Sequence, residues 1–133
     1  MKTETTTIKQ KITIPATPEK VYEAYINPKK HSEFTGSKAT GKPKVGSKFT
    51  AWDGYIQGRN LELEKGKRIV QEWTTTDWPE NYPPSKLELT FQQTAQGTEI
   101  LMIHSNVPVE QEEELAEGWT EFYWKPMKKY FKK

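Results

Sequence analysis

Residues 107–133, VPVEQEEELAEGWTEFYWKPMKKYFKK, decide the fold. They read as one long amphipathic helix. Leu115, Trp119, Phe122, Tyr123, Pro126, Met127 and Tyr130 recur at spacings of three and four, a broad apolar stripe along one face. Glu110, Glu112, Glu113, Glu114 and Glu117 crowd the start, and Lys125, Lys128, Lys129, Lys132 and Lys133 crowd the end. That order complements the helix macrodipole at both ends. Four aromatic rings on one stripe are a large apolar load, so the helix must lie across a sheet, where the rings either fill the gap or line a pocket. Two residues are irregular choices. Pro126 has no N–H for the Phe122 carbonyl, which predicts a kink, with Tyr130 and Phe131 turned back onto the sheet or its first strand. Gly118 costs about 1 kcal/mol against alanine in a helix, which predicts close approach to a sheet residue.

Upstream, Ile8, Ile12 and Ile14 alternate with lysines from Thr6 to Ile14, a strand. ATPEKVYEAYINP then opens a helix, with Thr17 as N-cap, Pro18 at the first helical position and Pro28 ending it. HSEF reads as a further short helical turn stopped by Gly36. From Lys38 the chain looks all-β, with turns at Asp53-Gly54 and Lys65-Gly66-Lys67 and a proline loop, WPENYPPS, before KLELTFQQ. TAQG is a turn that sets Phe91 opposite Ile100, Leu89 opposite Met102 and Leu87 opposite His104. Strand, helix, several antiparallel strands and a long helix make an α+β domain, with helices on one side of a curved antiparallel sheet. The 133 residues suit one domain spanning 1–133.

Composition removes several classes of function. There is no cysteine, hence no disulfide, thiolate metal site or cysteine nucleophile. The N-terminus has no apolar signal region, and no stretch approaches the length of a spanning helix, so a soluble cytoplasmic protein with no membrane role is expected. Arg59 and Arg68 are the only arginines, and the net charge is +2. Nucleic-acid readers favour arginine's bidentate fork, so no nucleic-acid partner is expected.

Four stretches together carry a family resemblance: ITIPATPEKVYEAYINPKKHSEFTG, WDGYIQGRNLELEKGKRIVQEW, WPENYPPSKLELTF and VPVEQEEELAEGWTEFYWKPM. In this order they resemble the C-terminal domain of activators of the heat-shock protein 90 ATPase, within the START-related SRPBCC superfamily. The resemblance covers nearly the whole chain. It implies a helix-grip fold: a curved antiparallel sheet wrapped around the C-terminal helix, with two short helices after strand one. It also implies a cavity between helix and sheet of the kind in which relatives hold lipids, sterols or other apolar molecules. The eukaryotic co-chaperone carries an additional N-terminal domain, whereas this chain opens at strand one. That departure implies a stand-alone module and argues against chaperone activation.

Candidate residues follow from that geometry. Register sends His104 to the apolar face, either as a buried, hydrogen-bonded side chain or as an acid/base or polar anchor. His31 reads as an exposed loop residue. The two histidines lack metal-ligand spacing, so no metal or cofactor is expected. Glu72 and Asp53 flank Trp73 and Trp52, but nothing places the carboxylates together, and no serine has a GxSxG context. Tyr55 and Trp78 are further rings with polar tips, Trp78 as a lid or contact surface. A ligand would meet Trp52, Ile69, Trp73, Leu87, Leu89, Phe91, Met102, His104, Trp119, Phe122 and Tyr123. The first reading is therefore a monomeric, non-enzymatic module holding an apolar small molecule such as a lipid between helix and sheet. The alternative is a chaperone-associated interaction module of the stress response. A third is a small enzyme using His104.

Overall fold

The computed structural model describes residues 4–80 and 82–132. Asn81 of the proline loop and Lys133 of the C-terminal lysine cluster lie outside the described residues. The chain forms β1 (Thr5–Ile14), α1 (Pro18–Ile26), α2 (Pro28–Thr35), β2 (Lys48–Ala51), β3 (Ile56–Glu64), β4 (Arg68–Thr75), β5 (Ser85–Thr94) and β6 (Gly97–Pro108). A 3₁₀ turn (Val109–Gln111), α3 (Glu112–Trp119), a π turn (Thr120–Trp124) and α4 (Lys125–Phe131) complete it. The strands form one six-stranded antiparallel sheet in the order β1-β6-β5-β4-β3-β2. It is an open, curved α+β architecture with the C-terminal helix on its apolar face.

Local chemistry accounts for the helix starts. Thr17 Oγ1 accepts from the Lys20 N–H with Pro18 in the first turn, and Asn27 Oδ1 accepts from Lys29 and Lys30 to start α2. Gly36, at φ 79°, closes α2 in the left-handed region. HSEF is thus part of an eight-residue helix. The β5–β6 register sets Phe91 against Ile100, Leu89 against Met102 and Leu87 against His104, as alternation predicts. Ile69, Leu87, Leu89, Ile100 and Met102 are fully buried under the helices, each contributing on the order of 1.5–3 kcal/mol.

The C-terminal helix departs from the single α-helix expected. Before Pro126 it widens into the π turn, where the Lys125 N–H bonds the Thr120 carbonyl five residues back. Pro126 then sits in the first turn of α4, where a missing N–H costs least. The wider turn accommodates the proline in place of the simple kink predicted. Tyr130 also goes elsewhere: its hydroxyl donates to Glu33 Oε1 and its ring meets Phe34, so it docks on α2 rather than the sheet. Nor does Gly118 permit a close approach, since a Cβ there would meet only Phe122 Cδ2, at 3.8 Å.

Close approach occurs instead at Gly58 on β3. A Cβ there would lie on the Glu72 carbonyl oxygen and 2.6 Å from Phe49 Cζ. Gly58→Ala is therefore expected to cost about 2–3 kcal/mol in urea denaturation. Gly118→Ala is expected to gain up to about 1 kcal/mol. A neutral Gly58→Ala contradicts this packing.

Candidate functional site: an apolar groove beside the C-terminal helix

The π turn determines which rings face inward. Bonding from residue i to i+5 brings side chains five apart onto one face, and Trp119 and Trp124 stack with centroids 5.4 Å apart at 18°. The 3.6-residue period hides this, and Trp124, 2% exposed, was absent from the predicted stripe. Its indole N–H donates to Gln10 Oε1 on β1 at 2.7 Å, and Gln10 Nε2 donates to the Ala116 carbonyl at 2.9 Å, tying helix to edge strand.

On the opposite side the helix stands away from the sheet, leaving a groove of about 350 Å³. Its walls are Leu115, Gly118, Trp119, Phe122 and Tyr123 from the helix, with Ile56 from β3, Trp73 from β4, and Trp52 and Tyr55 from the turn between β2 and β3. Glu114 supplies the one carboxylate on the lining. The volume falls at the lower end of the range for small-molecule pockets, and the apolar walls are typical of them.

Five of the eleven residues predicted to meet a ligand line this groove: Trp52, Trp73, Trp119, Phe122 and Tyr123. Phe122 is 56% exposed and sits at the mouth with its ring against Trp52, rather than facing the sheet. Ile69, Leu87, Leu89, Phe91 and Met102 are packed core away from the lining, and Phe91 meets Tyr22 of α1 edge-on instead. Ile56, Glu114 and Gly118 line the groove unforeseen; only Gly118 left a signal, as a glycine inside a helical pattern.

His104 lies behind the groove wall with no exposure. Trp119 Nε1–H donates to its Nδ1 at 3.1 Å. An indole can only donate, so Nδ1 bears no proton and the neutral ring carries it on Nε2. That Nε2–H donates to Ser85 Oγ at 2.7 Å, and Ser85 in turn donates to the Trp73 carbonyl at 2.6 Å. Ser85 and His104 thus have the spacing of a nucleophile and its base but the wrong tautomer: the nitrogen facing the hydroxyl is already protonated. Burial lowers the His104 pKa to about 3. Trp73 Nε1 is buried with no hydrogen-bond partner, on a side chain that lines the groove.

His31 corrects the sequence reading. It is buried, 6% exposed, on α2 rather than in an exposed loop. Its Nδ1 faces the Tyr25 carbonyl at 2.8 Å and must donate, so Nε2 accepts from the Tyr123 hydroxyl at 3.0 Å. Burial lowers its pKa to about 4, against the opposing pull of the Tyr25 carbonyl. Burial also raises the Tyr123 hydroxyl above its ordinary value. Glu72 and Asp53 stay apart: Glu72 pairs across the sheet with Arg59 and Lys86, while Asp53 Oδ1 accepts the Lys38 N–H. Among the described residues no acidic, histidine or cysteine cluster could hold a metal, and no helix is long and apolar enough to cross a membrane.

The two histidines set a pH dependence. Unfolded, each takes up a proton near pH 6.5; folded, His31 does so only near 4 and His104 near 3. The unfolded chain therefore binds more protons between those values, and stability falls as pH drops from about 6.5 toward 4, being fully present above 6.5. Urea midpoints are expected to fall steadily between about pH 7 and pH 5. A flat profile there contradicts buried neutral rings.

Comparison with known proteins places the chain in a family. The model of the family described as "Activator of Hsp90 ATPase homolog 1-like protein" matches residues 15–132. The human "Activator of 90 kDa heat shock protein ATPase homolog 1" is 30% identical over 131 residues, which are 98% of this chain and 38% of that protein. The chain thus spans little more than a third of that relative's length. A crystal structure of an HSP90 activator from Plasmodium falciparum is 26% identical, covers 90% of this chain and 89% of that one, and superposes with a TM-score of 0.74. The solution structure of the Aha1 dimer from Colwellia psychrerythraea, 19% identical over 92% of this chain and 93% of that one, shares the fold at a TM-score of 0.77. Matched by the family's model over all but its first strand and last residue, the chain belongs to the family of proteins like the activator of the Hsp90 ATPase.

Proposed function

We propose that this protein is an interaction module that docks on a heat-shock protein 90 chaperone and stimulates its ATPase. The observation that carries the reading is family membership over residues 15–132, together with a human relative named as an activator homologue of that ATPase and a Plasmodium falciparum structure named as an HSP90 activator. Binding rather than catalysis also suits the chemistry of the interior, where the Ser85–His104 pair holds its proton on the wrong nitrogen for a base. This reverses the order of the two readings drawn from the sequence. The expectation of a monomer meets a counter-example in the dimeric Colwellia relative, which speaks for the fold alone at 19% identity. Added in excess to a purified heat-shock protein 90, the protein is expected to raise ATP turnover severalfold. Unchanged turnover, with the protein folded, overturns the reading.

A second reading rests on the groove, whose apolar walls and volume of about 350 Å³ suit a small apolar molecule. Trp73 adds an unpaired N–H at the wall that an acceptor on such a molecule would satisfy. An apolar fluorophore is expected to quench or shift tryptophan emission and to stabilise the fold by about 2.7 kcal/mol at a hundredfold excess over its Kd. Gly118→Leu places its side chain in the groove, with only Phe122 Cδ2 near its Cβ, and is expected to abolish both effects in a folded protein. Retained binding in that variant removes the groove as the site.

A further inference from the structure

The segment from the end of α2 to the start of β2 carries Lys38, Lys42, Lys44 and Lys48, all exposed, and no acidic residue occurs between Glu33 and Asp53. β3 adds Arg59 directly opposite Lys48. Like charges facing each other across neighbouring strands are destabilising, so local stability does not explain the pairing. Among the described residues the cations in ion pairs are Arg68 and Lys125, and none of these five. Asp53, the nearest acid in sequence, accepts the Lys38 backbone N–H. Glu72 sits between Arg59 and Lys86 on the sheet.

A run of lysines on a loop is ordinarily a loose, solvated surface. This one is held. Asn60, buried at the register shift in β3, donates from Nδ2 to the carbonyls of Lys42 at 3.1 Å and Lys44 at 3.2 Å. Its backbone N–H donates to the Ser47 carbonyl at 3.0 Å, and its own carbonyl accepts from the Gly46 N–H at 2.8 Å. Gln71 Nε2 orients the amide by donating to Asn60 Oδ1 at 2.8 Å, and the Tyr25 hydroxyl orients Gln71 at 3.0 Å. Three polar side chains are therefore taken from the buried side of the fold to hold a loop whose residues 41–46 are all exposed and add nothing to the core. Buried polar networks rigidify what they touch. The product is a preformed basic ledge with one apolar tip, Val45, 62% exposed. Beside it, on the outer sheet face, Lys48, Thr50, Gln57 and Arg59 rim a shallow hollow, with Glu72 as its one carboxylate.

We propose that this ledge docks an acidic polypeptide segment, a run of aspartate and glutamate side chains on a protein partner. Charge complementarity selects the occupant. Four of the five cations are lysines, compact point charges that tolerate varied carboxylate geometry. The ledge offers no exposed ring for a base to stack on, which single-stranded nucleic acid would need. A held array of like charges steers an opposite partial charge on approach and loses little freedom on contact. The inference rests on the reading of the protein as an interaction module and names the surface it would use.

The test is fluorescence anisotropy of a labelled oligoglutamate peptide against the full chain at low and physiological salt. The wild type is expected to bind, more weakly as salt rises. Lys42→Glu/Lys44→Glu, two exposed changes that leave every Asn60 bond to the backbone in place, is expected to lose at least about tenfold. Lys128→Glu/Lys129→Glu, an equal charge reversal on α4, is expected to stay within about twofold of wild type. Absence of binding at low salt, equal losses in the two variants, or tighter binding of an oligothymidylate of matched charge would overturn the proposal. Chaperone ATPase stimulation by the same variants separates the two claims. Full stimulation by Lys42→Glu/Lys44→Glu sinks this surface alone, whereas peptide binding without any stimulation by the wild type sinks the chaperone function alone.

Discussion

The hydrogen bond from the Trp119 indole to His104 Nδ1 is the constraint on which the site depends. It joins the C-terminal helix to the sheet in the interior, where leaving either group unpaired costs on the order of 1–3 kcal/mol. Accepting at Nδ1 commits the His104 proton to Nε2, then to Ser85, and through Ser85 to the Trp73 carbonyl. One chain of donors thus fixes a helix residue and a strand residue together, and both indoles form groove wall. The Trp119 ring is held through its N–H and Trp73 through its backbone carbonyl, so neither tether takes up the apolar ring faces that form the wall.

A second histidine repeats the arrangement with the opposite tautomer. The Tyr123 hydroxyl donates to His31 Nε2, while His31 Nδ1–H donates to the Tyr25 carbonyl. Trp119 and Tyr123 are therefore each tethered through a neutral imidazole, one to the sheet and one to α2. The π turn between them makes both tethers compatible with Trp124, which stacks on Trp119 and reaches β1 through Gln10. Without the wider turn, residues 119, 123 and 124 would not all face inward, and Pro126 would cost a hydrogen bond in the middle of an α-helix.

The architecture was legible because its signals are local and repeated. Thr17-Pro18, Pro28 and Gly36 mark both short helices, and alternation about the β5–β6 turn sets the register that buries His104. The site was legible only in part. Alternation says which face of a strand is inward, but not where a helix sits on that face. Ile69, Leu87, Leu89, Phe91 and Met102 therefore could not be told apart from the true wall residues. His31 was misread because its two partners, Tyr25 and Tyr123, lie 6 and 92 residues away and leave no periodic trace. The π turn hid Trp124 for a related reason: a 3.6-residue template cannot register a five-residue contact.

Nitrogen NMR of the imidazole rings at neutral pH tests the central claim most directly, because the two tethers demand opposite tautomers. The account predicts the Nε2–H form for His104, with the Trp119 indole proton shifted by its bond to Nδ1, and the Nδ1–H form for His31. A His104 ring protonated on Nδ1, or one titrating near 6.5 as in an unperturbed chain, would contradict the pin between helix and sheet.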